Sequence, residues 1–219
     1  MRLIDGKKYG FCLLLCFWLT WGLPACTDAQ QETTTEMTKT ENLAKATFAG
    51  GCFWCMQPAF DLQQGVVRTT VGYTGGHVVN PTYEQVVSET TGHREAIQVL
   101  YDPQQIAYET LLDIYWHNID PTQADGQFAD RGESYQTAIF YHDEQQKALA
   151  EKSKQELAAS GRFKGPIMTE IIPAEPFYPA EEYHQKYYEK NPLRYKMYKI
   201  GSGREGFLES VWEEENSKK

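Results

Sequence analysis

A glycine pair, Gly50-Gly51, ends the β-like run Lys45-Ala46-Thr47-Phe48-Ala49 and hands the chain directly to Cys52-Phe53-Trp54-Cys55. This strand, turn and helix start constrain the fold more than any other stretch, because they fix where one element stops and which residues open the next. Pro58 sharpens the expectation. Lacking an N–H, proline fits best in the first turn of a helix, so a straight helix containing Pro58 is expected to begin near Trp54 or Cys55. Cys52 then lies just ahead of the helix, where unpaired backbone N–H groups lower a thiol pKa.

Around this junction the hydrophobic pattern is mixed. Alternation in residues 67–71, 95–101, 135–140 and 167–171 predicts four further strands. Tyr108, Leu111, Leu112, Tyr115 and Ile119 recur with helical spacing. Asp143 opens a polar helix to about Ser160, and Ala180 to Tyr188 reads as another. Strands mixed with helices in no strict βαβ alternation predict an α+β fold, a mixed sheet with helices packed against it. The 219 residues suffice for one well-filled catalytic domain, placed at 44–200, with 201–219 as a C-terminal tail.

The N-terminal segment has a different character. Arg2, Lys7 and Lys8 precede an apolar run from Phe11 to Trp21 and then Leu23-Pro24-Ala25-Cys26. The run is too short to span a bilayer and reads as a secretory signal over 1–26. Its end is similar to the bacterial lipobox, although Pro24 departs from the commonest form, and the similarity makes Cys26 the lipid-carrying first residue of an exported, membrane-anchored protein. A plain cleaved signal or an anchoring helix are the alternatives. Residues 27–43 are Gln-, Glu-, Thr- and Lys-rich and form the expected flexible tether. A net charge of −9 argues against nucleic acid or an anionic membrane surface as partner, so the membrane enters only through the lipid anchor.

Of five cysteines, only Cys52 and Cys55 remain in the domain. A closed zinc site needs about four ligands, and no second cysteine pair follows residue 55, so no metal is expected. Two inert, packed cysteines are a further alternative, against which the glycine turn and flanking aromatics argue. Redox or nucleophilic chemistry is the favoured reading. Glu95 shares strand parity with Ile97, Val99 and Tyr101. It is therefore either a buried carboxyl, kept protonated as a proton donor, or a solvated strand-end glutamate beside Arg94. Fourteen tyrosines supply O–H donors, and Asp130 lies in a loop where it would ordinarily form a turn.

Five motifs in order, Gly50-Gly51-Cys52-Phe53-Trp54-Cys55, Gly72-Tyr73-Thr74-Gly75-Gly76, the run from Asn80 to Val86, Thr91-Gly92-His93-Arg94-Glu95-Ala96 and Asp130-Arg131-Gly132-Glu133-Ser134-Tyr135, resemble the peptide methionine sulfoxide reductases of the A class over about residues 45 to 190. The resemblance implies a two-layer core, ferredoxin-like in architecture, and action on the S epimer of methionine sulfoxide, free or in proteins. It makes Cys52 the nucleophile and Glu95 the acid that protonates the sulfoxide oxygen. Tyr83 and Tyr135 become the hydroxyls holding that oxygen, Phe53 and Trp54 the rings around the methyl group, and Asp130 a polar contact. It implies no cofactor, a thioredoxin-like electron donor, and a Cys52 sulfenic acid.

The chain departs from many relatives of that family in having cysteine at position 55 and none beyond it. A Cys52–Cys55 disulfide is therefore expected, with no relay through the tail. Ser134 and Gln136 replace the common neighbours of Tyr135. The rival function is a thioredoxin-like dithiol oxidoreductase acting on protein disulfides, and a non-catalytic surface module is the other. A monomer is expected.

Overall fold

The computed structural model describes residues 42–216. The expected signal segment, Cys26 and all but the end of the expected 27–43 tether lie outside the described residues. Six strands form one mixed sheet in the order β7-β6-β1-β3-β2-β8. In chain order, β1 is Ala44–Ala49, β2 Val66–Thr74, β3 Arg94–Tyr101, β6 Ala138–Tyr141, β7 Glu170–Pro173 and β8 Tyr178–Pro179, while β4 (Gly126–Gln127) and β5 (Asp130–Arg131) pair in a separate hairpin. All neighbours in the large sheet are antiparallel except β6 and β7. The α+β expectation holds.

The helices Phe53–Asp61, Tyr108–Trp116 and Glu144–Ala159 contribute to one continuous core with the sheet, where Phe48, Phe60, Leu111, Tyr115 and Ile139 are fully buried. Phe48 of β1 stacks on Tyr115 and Phe60, with ring centroids 5.1 and 5.4 Å apart. Each such aromatic pair contributes about 0.5–1.5 kcal/mol beyond area burial. β3 faces this core through Ile97, Val99 and Tyr101. Ala49, Ala96 and Ala138 instead belong to a second cluster with Phe140, Ile172 and Phe177. Asp143 caps the long polar helix, accepting from the Gln146 N–H at 2.8 Å.

Several boundaries differ from the sequence expectation, each for a local reason. The cysteine helix begins at Phe53, so Pro58 is its sixth residue and lies past the first turn. The helix ends three residues later, so few bonds are left for the missing N–H to interrupt. Tyr135 is in a 3-10 turn, Glu133–Tyr135, because Glu89 accepts from the Ser134 N–H (3.1 Å) and hydroxyl (2.7 Å), and β6 starts only at Ala138. β7 starts at Glu170, after the Met168 N–H is taken by Pro121 O at 2.7 Å. The helix expected from Ala180 to Tyr188 is a series of turns followed by Tyr187–Lys190. Lys186 between them is left-handed (φ 50°), with its N–H held at 2.7 Å by Gln57 Oε1.

Residues 192–216 contain two helices, Pro192–Gly201 and Arg204–Asn216. Arg204 is buried, 2% exposed, against the turn that precedes Cys52.

Candidate active site

The glycine pair is required by space and by backbone geometry. A Cβ at Gly50 would lie 2.6 Å from Met56 Sδ, and Gly51 adopts φ +76° with Gln127 Cβ 2.5 Å from where its own would be. Only glycine meets both demands cheaply. Cys52 follows as the N-cap residue, its carbonyl accepting from the Cys55 N–H at 3.0 Å. Cys52 and Cys55 are buried, 5% and 3% exposed, and each sulfur shifts the titration of the other.

The parity of β3 puts Glu95 against this helix start. Its Oε2 accepts from the Phe53 N–H at 3.0 Å, and the residue is 2% exposed. Burial pushes its carboxyl up to about 8, against the opposing Phe53 bond, so it is protonated at neutral pH. The solvated reading of Glu95 is excluded by this burial. Arg94, the polar neighbour, points to the opposite face, with Glu170 as its ion-pair partner.

The thiols titrate in opposite directions, and here the sequence expectation for Cys52 is corrected. Burial, then Cys55 and the charge of Glu95, push the Cys52 thiol well above its ordinary value. The Cys55 thiol is lowered, chiefly because Cys52 donates to it, with Arg204 and Lys199 acting in the same direction against burial and Asp130. A helix N-terminus stabilises a thiolate, yet at Cys52 removal from water and a neighbouring sulfur outweigh it. Of the two thiols, Cys55 is therefore the one that ionises first.

Tyr83 and Tyr135 reach this centre from separate elements. Tyr83 opens the short helix Tyr83–Val87, which a reciprocal Thr82–Gln85 capping box starts, and its N–H donates to Glu181 Oε1 at 2.9 Å. The titration of each tyrosine responds to the other and to any charge developed on Glu95 and Cys52. Burial first, then those charges, push Tyr83 up to about 12 and Tyr135 higher. Both remain O–H donors at any physiological pH.

The aromatic pair divides. Phe53 is buried against Tyr73 and His184, whereas Trp54 is partly exposed, stacked on Tyr187 at 3.8 Å and donating its indole N–H to His184 Nδ1 at 3.0 Å. Asp130, on β5 of the hairpin, accepts from the Tyr198 hydroxyl, and Tyr198 and Cys52 shift each other's titration. All eight site residues expected within the domain thus converge on the first turn of one helix.

His184, Glu181, Tyr187, Tyr198 and Arg204 join the site without having been singled out from sequence. The buried His184 Nε2 has no hydrogen-bond partner among the described residues and lies 4.0 Å from Glu181 Oε2. These residues come from irregular or C-terminal segments where no strand or helix periodicity marks a face. The one available signal was aromatic density between Tyr183 and Tyr198. Among the described residues, no group of three or more His, Cys, Asp or Glu is placed to hold a metal ion.

A buried pair of interacting thiols at a helix start, faced by a protonated carboxyl and two tyrosine hydroxyls, defines a thiol-dependent oxidoreductase on an α+β scaffold. The family model described as peptide methionine sulfoxide reductase matches residues 44–216, and the chain belongs to that family of oxidoreductases. Among its relatives, the Bacillus licheniformis peptide methionine sulfoxide reductase MsrA is 63% identical over 167 residues, covering 76% of this chain and 92% of that one. The Bacillus subtilis MsrA is 62% identical over 167 residues, covering 76% and 94%. Among solved structures, reduced Mxr1 of Saccharomyces cerevisiae superposes with a TM-score of 0.66 at 32% identity, covering 70% of this chain and 88% of that chain. Methionine sulfoxide reductase A of Corynebacterium diphtheriae does so at 0.62 and 35%, covering 69% and 76%.

Proposed function

We propose that this chain reduces the S epimer of methionine sulfoxide, free or within proteins, with Cys52 as nucleophile and Glu95 as proton donor. The single observation that carries the assignment is the buried Glu95 carboxyl bonded to the Phe53 N–H, beside Cys52 and facing the Tyr83 and Tyr135 hydroxyls. A sulfoxide oxygen gains negative charge as its sulfur is attacked. Preplaced O–H donors therefore favour the transition state over the ground state.

Cys52 attacks the sulfoxide sulfur as a thiolate, its proton passing to Cys55, the acceptor of its hydrogen bond in the resting state. Glu95 protonates the oxygen, methionine leaves, and Cys52 becomes a sulfenic acid. The Cys55 thiol then condenses with it, forming the Cys52–Cys55 disulfide and one water. A thioredoxin-like dithiol returns two electrons and two protons. Trp54, stacked on Tyr187, supplies the exposed ring for the methyl group, and Phe53 the floor beneath it. A thioredoxin-like protein-disulfide oxidoreductase would leave Glu95 and both tyrosines without a task.

Separated R and S epimers, reduced with dithiothreitol as electron source, test this reading. Turnover of the S epimer with little of the R is expected. Equal use of both, or insulin reduction outpacing sulfoxide reduction, overturns it.

We further propose that the chain is exported and carries lipid on Cys26, with residues 27–43 as its tether. The basic start, the apolar run and Leu23-Pro24-Ala25-Cys26 support this. The mature N-terminus should then begin at Cys26 and carry the added mass of acyl chains. An unmodified N-terminus elsewhere in mass spectrometry excludes the anchor.

A further inference from the structure

Arg204 is a buried cation without a carboxylate. Its Nη2 donates to Gly50 O at 2.9 Å and its Nη1 to Asn118 O, with Met56 Sδ at 3.8 Å. The guanidinium lies over the Phe128 ring, 4.6 Å from its centroid. Among the described residues it has no ion-pair partner. Arginine stays protonated in proteins, and a buried charge facing only neutral dipoles is costly unless an anion balances it. The ionisable group nearest in the chain to these contacts is Cys55, one turn away, whose thiol this guanidinium lowers. Gly50 and Gly51 lead into Cys52, Met56 follows Cys55, and a Cβ at Gly51 would be 3.0 Å from Nη2. The guanidinium therefore borders the cysteine turn on two sides.

We propose that Arg204 is the fixed counter-charge of the cysteine pair, a positioning residue whose guanidinium holds the negative charge on Cys55 and whose hydrogen bond to Gly50 fixes the turn that carries Cys52. The proposal deepens the reductase reading and rests on it for its use in catalysis. The other groups facing the pair divide clearly. Glu95 from β3 and Asp130 from β5 raise thiol pKa values, whereas Lys199, at the end of the helix Pro192–Gly201, lowers that of Cys55. Tyr198 and Tyr195, raised by burial, remain neutral donors, as do Tyr83 and Tyr135. Lys199 is partly exposed and paired to Glu205 at 3.5 Å, so solvent screens it as it cannot screen Arg204.

Thiolate ultraviolet absorbance of the reduced full-length protein, titrated against pH, reads the charge directly and needs no sulfoxide. Arg204→Gln, with its fold checked by circular dichroism, should shift the Cys55 titration upward by about one unit or more, leaving roughly tenfold less thiolate at a pH well below the midpoint. Arg204→Lys should restore most of it, and Lys199→Gln should shift it only by a few tenths. A folded Arg204→Gln protein with an unchanged titration overturns the proposal, and so does a Lys199→Gln shift as large as that of Arg204→Gln. If neither Arg204 variant folds, the wild-type titration at low and high salt decides. Near-constancy supports the buried source, and a rise of about one unit points to screened surface charge and overturns it. A protein that titrates as expected yet reduces no sulfoxide would sink the functional reading while sparing this one.

Discussion

Replacing Cys55 by serine should leave one equivalent of methionine per enzyme and then stall. The first step keeps the Cys52 sulfur and the Glu95 proton; losing Cys55 as acceptor of the Cys52 proton should slow that step without abolishing it. What it loses is the thiol that condenses with the sulfenic acid, and no cysteine follows position 55 to replace it. Steady-state turnover with a thioredoxin-type donor should fall by roughly 10²-fold or more, because such donors act by exchange with a disulfide rather than with a sulfenic acid. Small thiols that reach the sulfenic acid should rescue part of it. Rapid-quench counting of methionine in the first turnover, set beside steady-state rates, separates the two phases. Undiminished thioredoxin-driven cycling would remove Cys55 from the mechanism.

The second large effect belongs to Glu95→Gln. Glutamine keeps the shape and can still accept from the Phe53 N–H, but it gives no proton to the departing oxygen. The single-turnover rate should drop by roughly 10²-fold or more. Wild-type first-step rates should also fall as pH rises through about 8, where the carboxyl ionises, and the variant should lack that limb. Stability moves with the same group. Its folded pKa is raised, so its contribution is fully present below the unfolded value and is lost as pH rises through about 8. As pH rises from 4 to 9 the variant should therefore gain stability relative to wild type, by roughly 5 kcal/mol, measurable by urea unfolding at each pH. An unchanged single-turnover rate would exclude Glu95 as the acid.

How legible each part of the site was depended on whether a local rule governed it. Strand parity alone aligned Glu95 with Ile97, Val99 and Tyr101, and the structure buries all four together. The Gly50-Gly51 turn and Cys52 at the helix mouth followed from glycine and helix-end chemistry in the same way. Pro58 misled because a preference for the first turn is only a preference, and a nine-residue helix with a partly exposed Pro58 accommodates it. Tyr135 was read in a strand because its neighbours alternate, whereas a distant glutamate, Glu89, folds that stretch into a turn. The titration of Cys52 was misjudged, since it depends on burial and on groups from three different elements. Tyr198 and Arg204 were likewise invisible, because only long-range packing brings a C-terminal helix pair to a turn near residue 50.

That late contribution has a consequence for biosynthesis. Cys52 and Cys55 leave the ribosome long before Tyr198 and Arg204, so during translation the nascent thiols lack both the Tyr198 ring and the guanidinium beside the Cys55 turn. A polypeptide interrupted after β8 would keep its sheet-forming segments but carry an uncovered pair, open to alkylation and to mixed disulfides with passing small thiols. Completion of the last two helices is therefore the moment at which a generic dithiol becomes a selective one.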